Sequence, residues 1–189
     1  MILGIYGGSF DPPHLCHVFA AHYALAAGEI ERVLVAPCFT HPFGKSLAPF
    51  HDRIAMCRLA MEALGGRVEV SDIESRRPGP SYTIDTIRAL ASERPADRFR
   101  LIVGSDILDE APKWRAFDEI RRLAPLIVVP RGPRPNGAAT LFSLPDVSST
   151  AIRDALRQGR PAGDALPRNV LDYIFANGLY GASMRPSAP

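Results

Sequence analysis

Two histidines three residues apart, His14 and His17, follow a loop carrying Gly7, Gly8, Ser9 and Phe10 and stiffened by Pro12-Pro13. At the start of a helix this spacing sets both imidazoles on one face. The helix entrance adds free N–H groups and a positive dipole end, which favour phosphate. The glycines let backbone amides approach a ligand closely. Together these features read as a device for holding phosphate. A zinc site from His14, Cys16 and His17 is the competing chemistry, but on a helix Cys16 points about 200° away from His14. A hydrogen-bonded core role for His17 stays open, and His22 reads as structural. Far down the chain, Ser148, Ser149 and Thr150 precede Arg153. Those hydroxyls can cap a helix or bond phosphate, and the guanidinium can fork onto one. Gly44-Lys45-Ser46 imitates the end of a P-loop, yet Phe39 stands where its first glycine is needed and Pro49 blocks the following helix. The Gly-x-Gly-x-x-Gly loop of dinucleotide binding is missing. Trp114 is either core or a flat platform for a planar ring.

These residues need a frame to bring them together. Short apolar runs predict strands over Ile2–Tyr6, Arg32–Ala36, Val68–Val70, Phe99–Val103 and Leu126–Val129. Helices are predicted over His14–Ala27 (stopped by Gly28), Asp52–Leu64, Ser81–Ser92, Ser148–Gln158 and Asn169–Ala176. Such alternation predicts an α/β fold, a doubly wound parallel sheet of five or more strands with helices on both faces. In such sheets ligands bind at the carboxyl ends of the strands near the switch point. We expect one domain over 1–181, a break near 131–136, a small C-terminal helical lobe from about 146, and a flexible tail over 182–189.

Composition narrows the class. Of 189 residues, 47% are hydrophobic and 22% charged, which excludes a disordered or coiled-coil chain. A net charge of +2 argues against a nucleic-acid coat or polybasic membrane anchor. No apolar run approaches the ~18 residues of a membrane span, and the start lacks a signal-peptide pattern. Cys16, Cys38 and Cys57 are odd in number and lack CxxC spacing, which suits thiols in a reducing cytoplasm. Nothing in the sequence fixes an oligomeric state.

Gly7 to His17 resembles the nucleotidyltransferase signature Gly-Gly-[Thr/Ser]-Phe-Asp-Pro-x-His-x-Gly-His, with Cys16 where glycine is usual. Val147-Ser148-Ser149-Thr150-Ala151-Ile152-Arg153 resembles its second signature, Ile-Ser-Ser-Thr-x-Ile-Arg. Three further blocks resemble nicotinate mononucleotide adenylyltransferases. They are Asp72-Ile73-Glu74 with Ser81-Tyr82-Thr83-Ile84-Asp85-Thr86, Gly104-Ser105-Asp106 with Trp114, and Leu166-Pro167 through Gly178-Leu179-Tyr180. The second loop departs from the family's Pro-Pro-His-Lys: here it reads His41-Pro42-Phe43-Gly44-Lys45.

The resemblance implies a Rossmann-like fold and transfer of AMP from ATP to nicotinate mononucleotide, releasing pyrophosphate, as a late step of NAD synthesis. It implies catalytic roles for His14, His17 and Arg153. ATP would be bound by Gly7, Gly8, Ser9, Phe10, Gly104, Asp106, Arg131, Ser148, Ser149 and Thr150. The mononucleotide would meet His41, Lys45, Ser81, Tyr82, Thr83 and Trp114. Mg²⁺ would be carried by ATP, with no metal site of the protein's own, since no carboxylate cluster is evident. Neither nucleic acid nor membrane is expected as a partner. The alternatives are a pantetheine-phosphate adenylyltransferase or small cytidylyltransferase, which lack the Ser-Tyr-Thr and Trp blocks, and a nucleotide-binding module without chemistry.

Overall fold

The computed structural model describes residues 1–27, 30–131, 144–145 and 147–182. Among these, β1 (Ile2–Gly8), β2 (Arg32–Pro37), β3 (Val68–Val70), β4 (Arg98–Gly104) and β5 (Leu126–Val129) form one sheet in the order β3-β2-β1-β4-β5. Every neighbouring pair is parallel. The chain leaves β1 toward β2 and β3, then crosses back to β4 and β5, so the switch point lies between β1 and β4. This is the doubly wound frame the sequence predicts.

Strand side chains alternate between two cores, as the two-residue period of a strand requires. Val33 and Val35 of β2 and Ile102 of β4 join one cluster, which also takes residues of α1 (Leu15–Ala27), α2 (Phe50–Met61), α5 (Ser149–Arg157) and α6 (Arg168–Ala176). Leu3, Ile5, Leu34, Phe99, Leu101 and Val103 face the other cluster with α3 (Thr83–Glu93) and α4 (Phe117–Leu123). α4 was not predicted. Its entry is Ala116 in the left-handed region at φ 56° with no side-chain cap, so no start signal marks it.

Several boundaries shift. The helix expected from Asp52 to Leu64 begins at Phe50, turns 3-10 from Glu62, and ends in a kink where Gly65 takes φ 61°. That from Ser81 starts at Thr83, leaving Ser81 and Tyr82 extended at its mouth. Ala182, the first residue of the expected tail, is buried in the core. Gly28, residues 132–136 of the expected break and residues 183–189 of the tail lie outside the described residues.

Candidate active site

β1 ends in Gly7-Gly8, and the chain turns through Phe10, buried and held at φ 48°, to reach α1. His14 sits just ahead of the helix, and its carbonyl accepts from His17 N (2.8 Å) and Val18 N (3.3 Å), so it occupies the N-cap position. Its own N–H donates to His17 Nδ1 at 3.0 Å. A side chain three residues into the helix thus reaches back to satisfy the cap, as in a capping box. The hydrogen bond fixes the tautomer: Nδ1 of neutral His17 accepts, so Nε2 carries the proton. The two rings lie against each other with centroids 3.7 Å apart and planes tilted by 34°.

Both imidazoles are held neutral. Burial, then Arg131, push His14 down to about 4. Burial, then His14 and Arg131, hold His17 well below its ordinary value. His14 Nδ1 is buried without a hydrogen-bond partner among the described residues. The pair can therefore offer N–H donors at neutral pH without carrying charge.

Two cavities meet at this point. The larger, about 810 Å³, opens at the carboxyl ends of β1 and β4 and takes in Gly7, Gly8, Ser9, His14, His17, Gly104 and Arg131. Its other end is lined by His41, Ser81, Tyr82, Thr83 and Trp114. The smaller, about 400 Å³, is lined by Ser9, Phe10, His17, Lys45, Ser149, Thr150 and Arg153. Ser9 and His17 border both.

The larger cavity thus gathers five of the six residues expected for the mononucleotide. Lys45 lies instead in the smaller one, beside Arg153. Asp106 and Ser148 line neither and act through neighbours. Asp106 pairs with Arg131 at 3.4 Å, and Gly104 leaves room for it, since a Cβ there would collide with the Asp106 carboxylate. Arg131 is further held by Val147 O. Ser148 caps α5 by accepting from Ala151 N, Ser149 Oγ donates to Pro12 O, and Thr150 Oγ1 accepts from Arg153. Arg153 also donates to Asp11 O at 2.6 Å, so its guanidinium is aimed before any ligand arrives.

At the aromatic end, Thr83 opens α3 and lines the cavity, and no side chain caps that helix. Ser81 Oγ accepts from Phe39 N and Thr40 N, fastening the loop after β2 to the mouth of α3. His41 Nδ1 accepts from Phe43 N, and partial burial, then Lys45 and Arg53, lower its pKa. Cys16, set about 200° from His14 by the helix period, is buried in the core cluster, where its thiol donates to Pro145 O at 3.5 Å; it also borders the large cavity.

Sequence reasoning missed the residues that hold this frame. Arg53, 1% exposed, donates to the carbonyls of Ala48, Ser9 and Cys38 and so ties the first loop to the second. Asp11 accepts from Ala48 N and Tyr180 Oη and faces Arg153 at 3.5 Å. Among the described residues, no group of three or more His, Cys, Asp or Glu is placed to hold a metal ion. No helix among them is long and apolar enough to cross a membrane.

The cytidylyltransferase-like family model matches residues 5–155. A protein of Anaeromyxobacter dehalogenans, named probable nicotinate-nucleotide adenylyltransferase, is 45% identical over 183 residues, covering 94% of this chain and 96% of the relative. One of the same name from Myxococcus xanthus is 38% identical and covers 97% of each chain. The structure of Plasmodium falciparum nicotinic acid mononucleotide adenylyltransferase complexed with NaAD superposes with a TM-score of 0.79 at 21% identity, over 97% of this chain and 99% of that one.

Proposed function

The chain belongs to the nicotinate-nucleotide adenylyltransferases within the cytidylyltransferase-like family, and on that premise we propose that its two joined cavities transfer AMP from ATP to nicotinate mononucleotide. The products are nicotinate adenine dinucleotide and pyrophosphate, a step of NAD biosynthesis. The observation that carries this reading is the junction: His17 and Ser9 border both a large cavity with an aromatic end and a small one lined by Lys45 and Arg153. A nucleotide pair fits the first, and a polyphosphate tail fits the second.

The mononucleotide 5′-phosphate oxygen attacks the α-phosphorus of ATP in line. A P–O bond forms there as the bond from the α-phosphorus to the oxygen bridging to the β-phosphorus breaks, and its electrons leave with pyrophosphate. The nucleophile is already anionic, so no covalent intermediate and no general base are needed. Catalysis is positioning plus stabilisation of charge on the phosphoryl oxygens. His17 donates from Nε2, and His14 supports the same oxygens; Arg153, Lys45 and the α5 N-terminus receive the departing pyrophosphate. Mg²⁺ carried by ATP would supply neutralisation of phosphate charge, beside the charge that Arg153 and Lys45 provide. At the far end Trp114 stacks on the pyridine, and Thr83 donates to the ring carboxylate from backbone and hydroxyl. A cytoplasmic setting, where ATP is at hand, goes with this reading.

A pyrophosphate-release assay with ATP and a panel of nicotinate mononucleotide, nicotinamide mononucleotide and phosphopantetheine tests it. Turnover is expected with the first, and roughly 10- to 100-fold lower kcat/KM with the second. A nicotinamide presents NH₂ donors to the Thr83 donors and leaves one unpaired, at a cost of ~1–3 kcal/mol. Preference for phosphopantetheine would overturn the assignment.

A further inference from the structure

Glu74 is a buried carboxylate that lines the aromatic end of the large cavity without being needed for the transfer. Its two oxygens are engaged separately. Oε1 accepts from Thr86 Oγ1 at 2.8 Å, and Oε2 accepts from Phe39 N at 3.2 Å. Thr86 is itself buried, borders the same cavity, and accepts from Arg77 at 2.9 Å. A negative and a positive group thus stand one hydroxyl apart at the edge of the cavity.

The helix fixes how near this is to the ligand. Thr86 lies three residues beyond Thr83 on α3, hence on the same face and one turn away. Glu74, bonded to Thr86, then stands one hydrogen bond and about one helical turn from Thr83, the residue assigned above to the substituent of the pyridine. A fixed negative charge there opposes an anionic substituent and tolerates a neutral one. Arg77 offsets that charge. Its Nε is buried without a hydrogen-bond partner among the described residues, so its hold on the hydroxyl is not part of a saturated ion-pair network. Arg76, by contrast, is turned outward to Asp72 and Glu93.

We propose that the Glu74–Thr86–Arg77 chain is the charge-specificity determinant of this subsite. Glu74 restrains preference for the acid form of the mononucleotide, and Arg77 restores it by neutralising Glu74 through the Thr86 hydroxyl. The proposal rests on the adenylyl-transfer reading and names a control on its substrate choice.

Glu74→Gln isolates the charge, because the glutamine can keep every contact. Its oxygen can accept from Phe39 N, and its NH₂ can donate to Thr86 Oγ1, which has two acceptor positions. The Thr86 hydroxyl then turns to Tyr82 O, already 3.4 Å away. Glu74→Gln is expected to raise the acid-to-amide ratio of kcat/KM by roughly ten-fold or more, the scale of one unit charge within about 10 Å at an effective dielectric of about 20. Arg77→Met is expected to lower the ratio by a similar factor, and the double variant to return it to near the wild-type value. Trp114 is the single tryptophan, so quenching of its fluorescence by each mononucleotide gives the same ratio from binding alone. The half-buried Arg77 keeps the test open should Glu74→Gln fail to fold. Equal effects of both variants on acid and amide would overturn the proposal and leave Glu74 a structural latch. Wild-type protein that turns over neither mononucleotide would instead overturn the underlying reading.

Discussion

His17 does two things with two nitrogens, and replacing it in two ways separates them. Nδ1 accepts the His14 N–H at 3.0 Å and closes the start of α1; Nε2 is left as a donor toward the junction of the cavities. His17→Ala removes both. The helix loses this cap contact and the part-buried His14 N–H is left without its acceptor, one hydrogen bond whose removal costs about 1–3 kcal/mol. His17→Asn lets the amide oxygen take over the cap while no donor reaches the same place, so its stability should stay within about 1 kcal/mol of wild type. Losing one preorganised donor to charge on a transferring group costs on the order of 10²–10³ in kcat, or ~2.7–4 kcal/mol. Both variants should show that loss with KM changed by only a few-fold, while only the alanine variant shows a lower urea midpoint. Folded variants that each keep more than a tenth of wild-type kcat would refute the reasoning.

The neutral histidines also make stability depend on pH. His14 titrates near 4 when folded against 6.5 when unfolded, and His17 shifts the same way. The unfolded chain therefore binds more protons between those values, and stability falls as pH drops through that window. His14 alone should cost about 2 kcal/mol between pH 7 and pH 5, measured as the part of the fall in urea midpoint that His14→Asn removes, the remainder belonging to His17. Arg53→Met leaves the carbonyls of Ser9, Cys38 and Ala48 without this donor; at about 1–3 kcal/mol for each buried acceptor left unsatisfied, we expect a loss of about 3 kcal/mol or more in urea unfolding, and a loss under 1 kcal/mol would contradict the role given to it. Cys16→Gly should leave activity within a few-fold while lowering stability by more than the ~1 kcal/mol of helix propensity, because the buried thiol's packing and its bond to Pro145 O are lost as well. Strong inactivation of wild type by a thiol reagent, blocked by ATP and absent in the variant, would show the thiol to be part of the ATP site.

Much of the frame was legible because strands and helix entrances have local signals. Val68–Val70 and Leu126–Val129 carry strand patterns bounded by breakers, and the structure keeps both spans. The three-residue spacing of His14 and His17 was enough to predict neighbouring rings, but not that one ring would cap the other's backbone. Residues acting through distant carbonyls left no trace. Arg53 reaches Ser9, 44 residues away, and no spacing rule encodes which carbonyl a guanidinium will find. Glu74 and Thr86 stand within a quoted family block and Arg77 lies between its two halves, yet their joint charge arrangement exists only once α3 packs beside the loop after β2. Lys45 followed the same logic: its charge was readable, whereas its place beside Arg153 depends on Ala48 N donating to Asp11.

The most direct test of in-line transfer at this junction is the stereochemical course at phosphorus. With one diastereomer of ATP carrying sulfur on the α-phosphate and nicotinate mononucleotide as acceptor, the product is a dinucleotide phosphorothioate whose configuration can be assigned. A single direct displacement predicts inversion together with stoichiometric pyrophosphate. Retention, which requires two displacements and an AMP–enzyme intermediate, or absence of the dinucleotide, would contradict it.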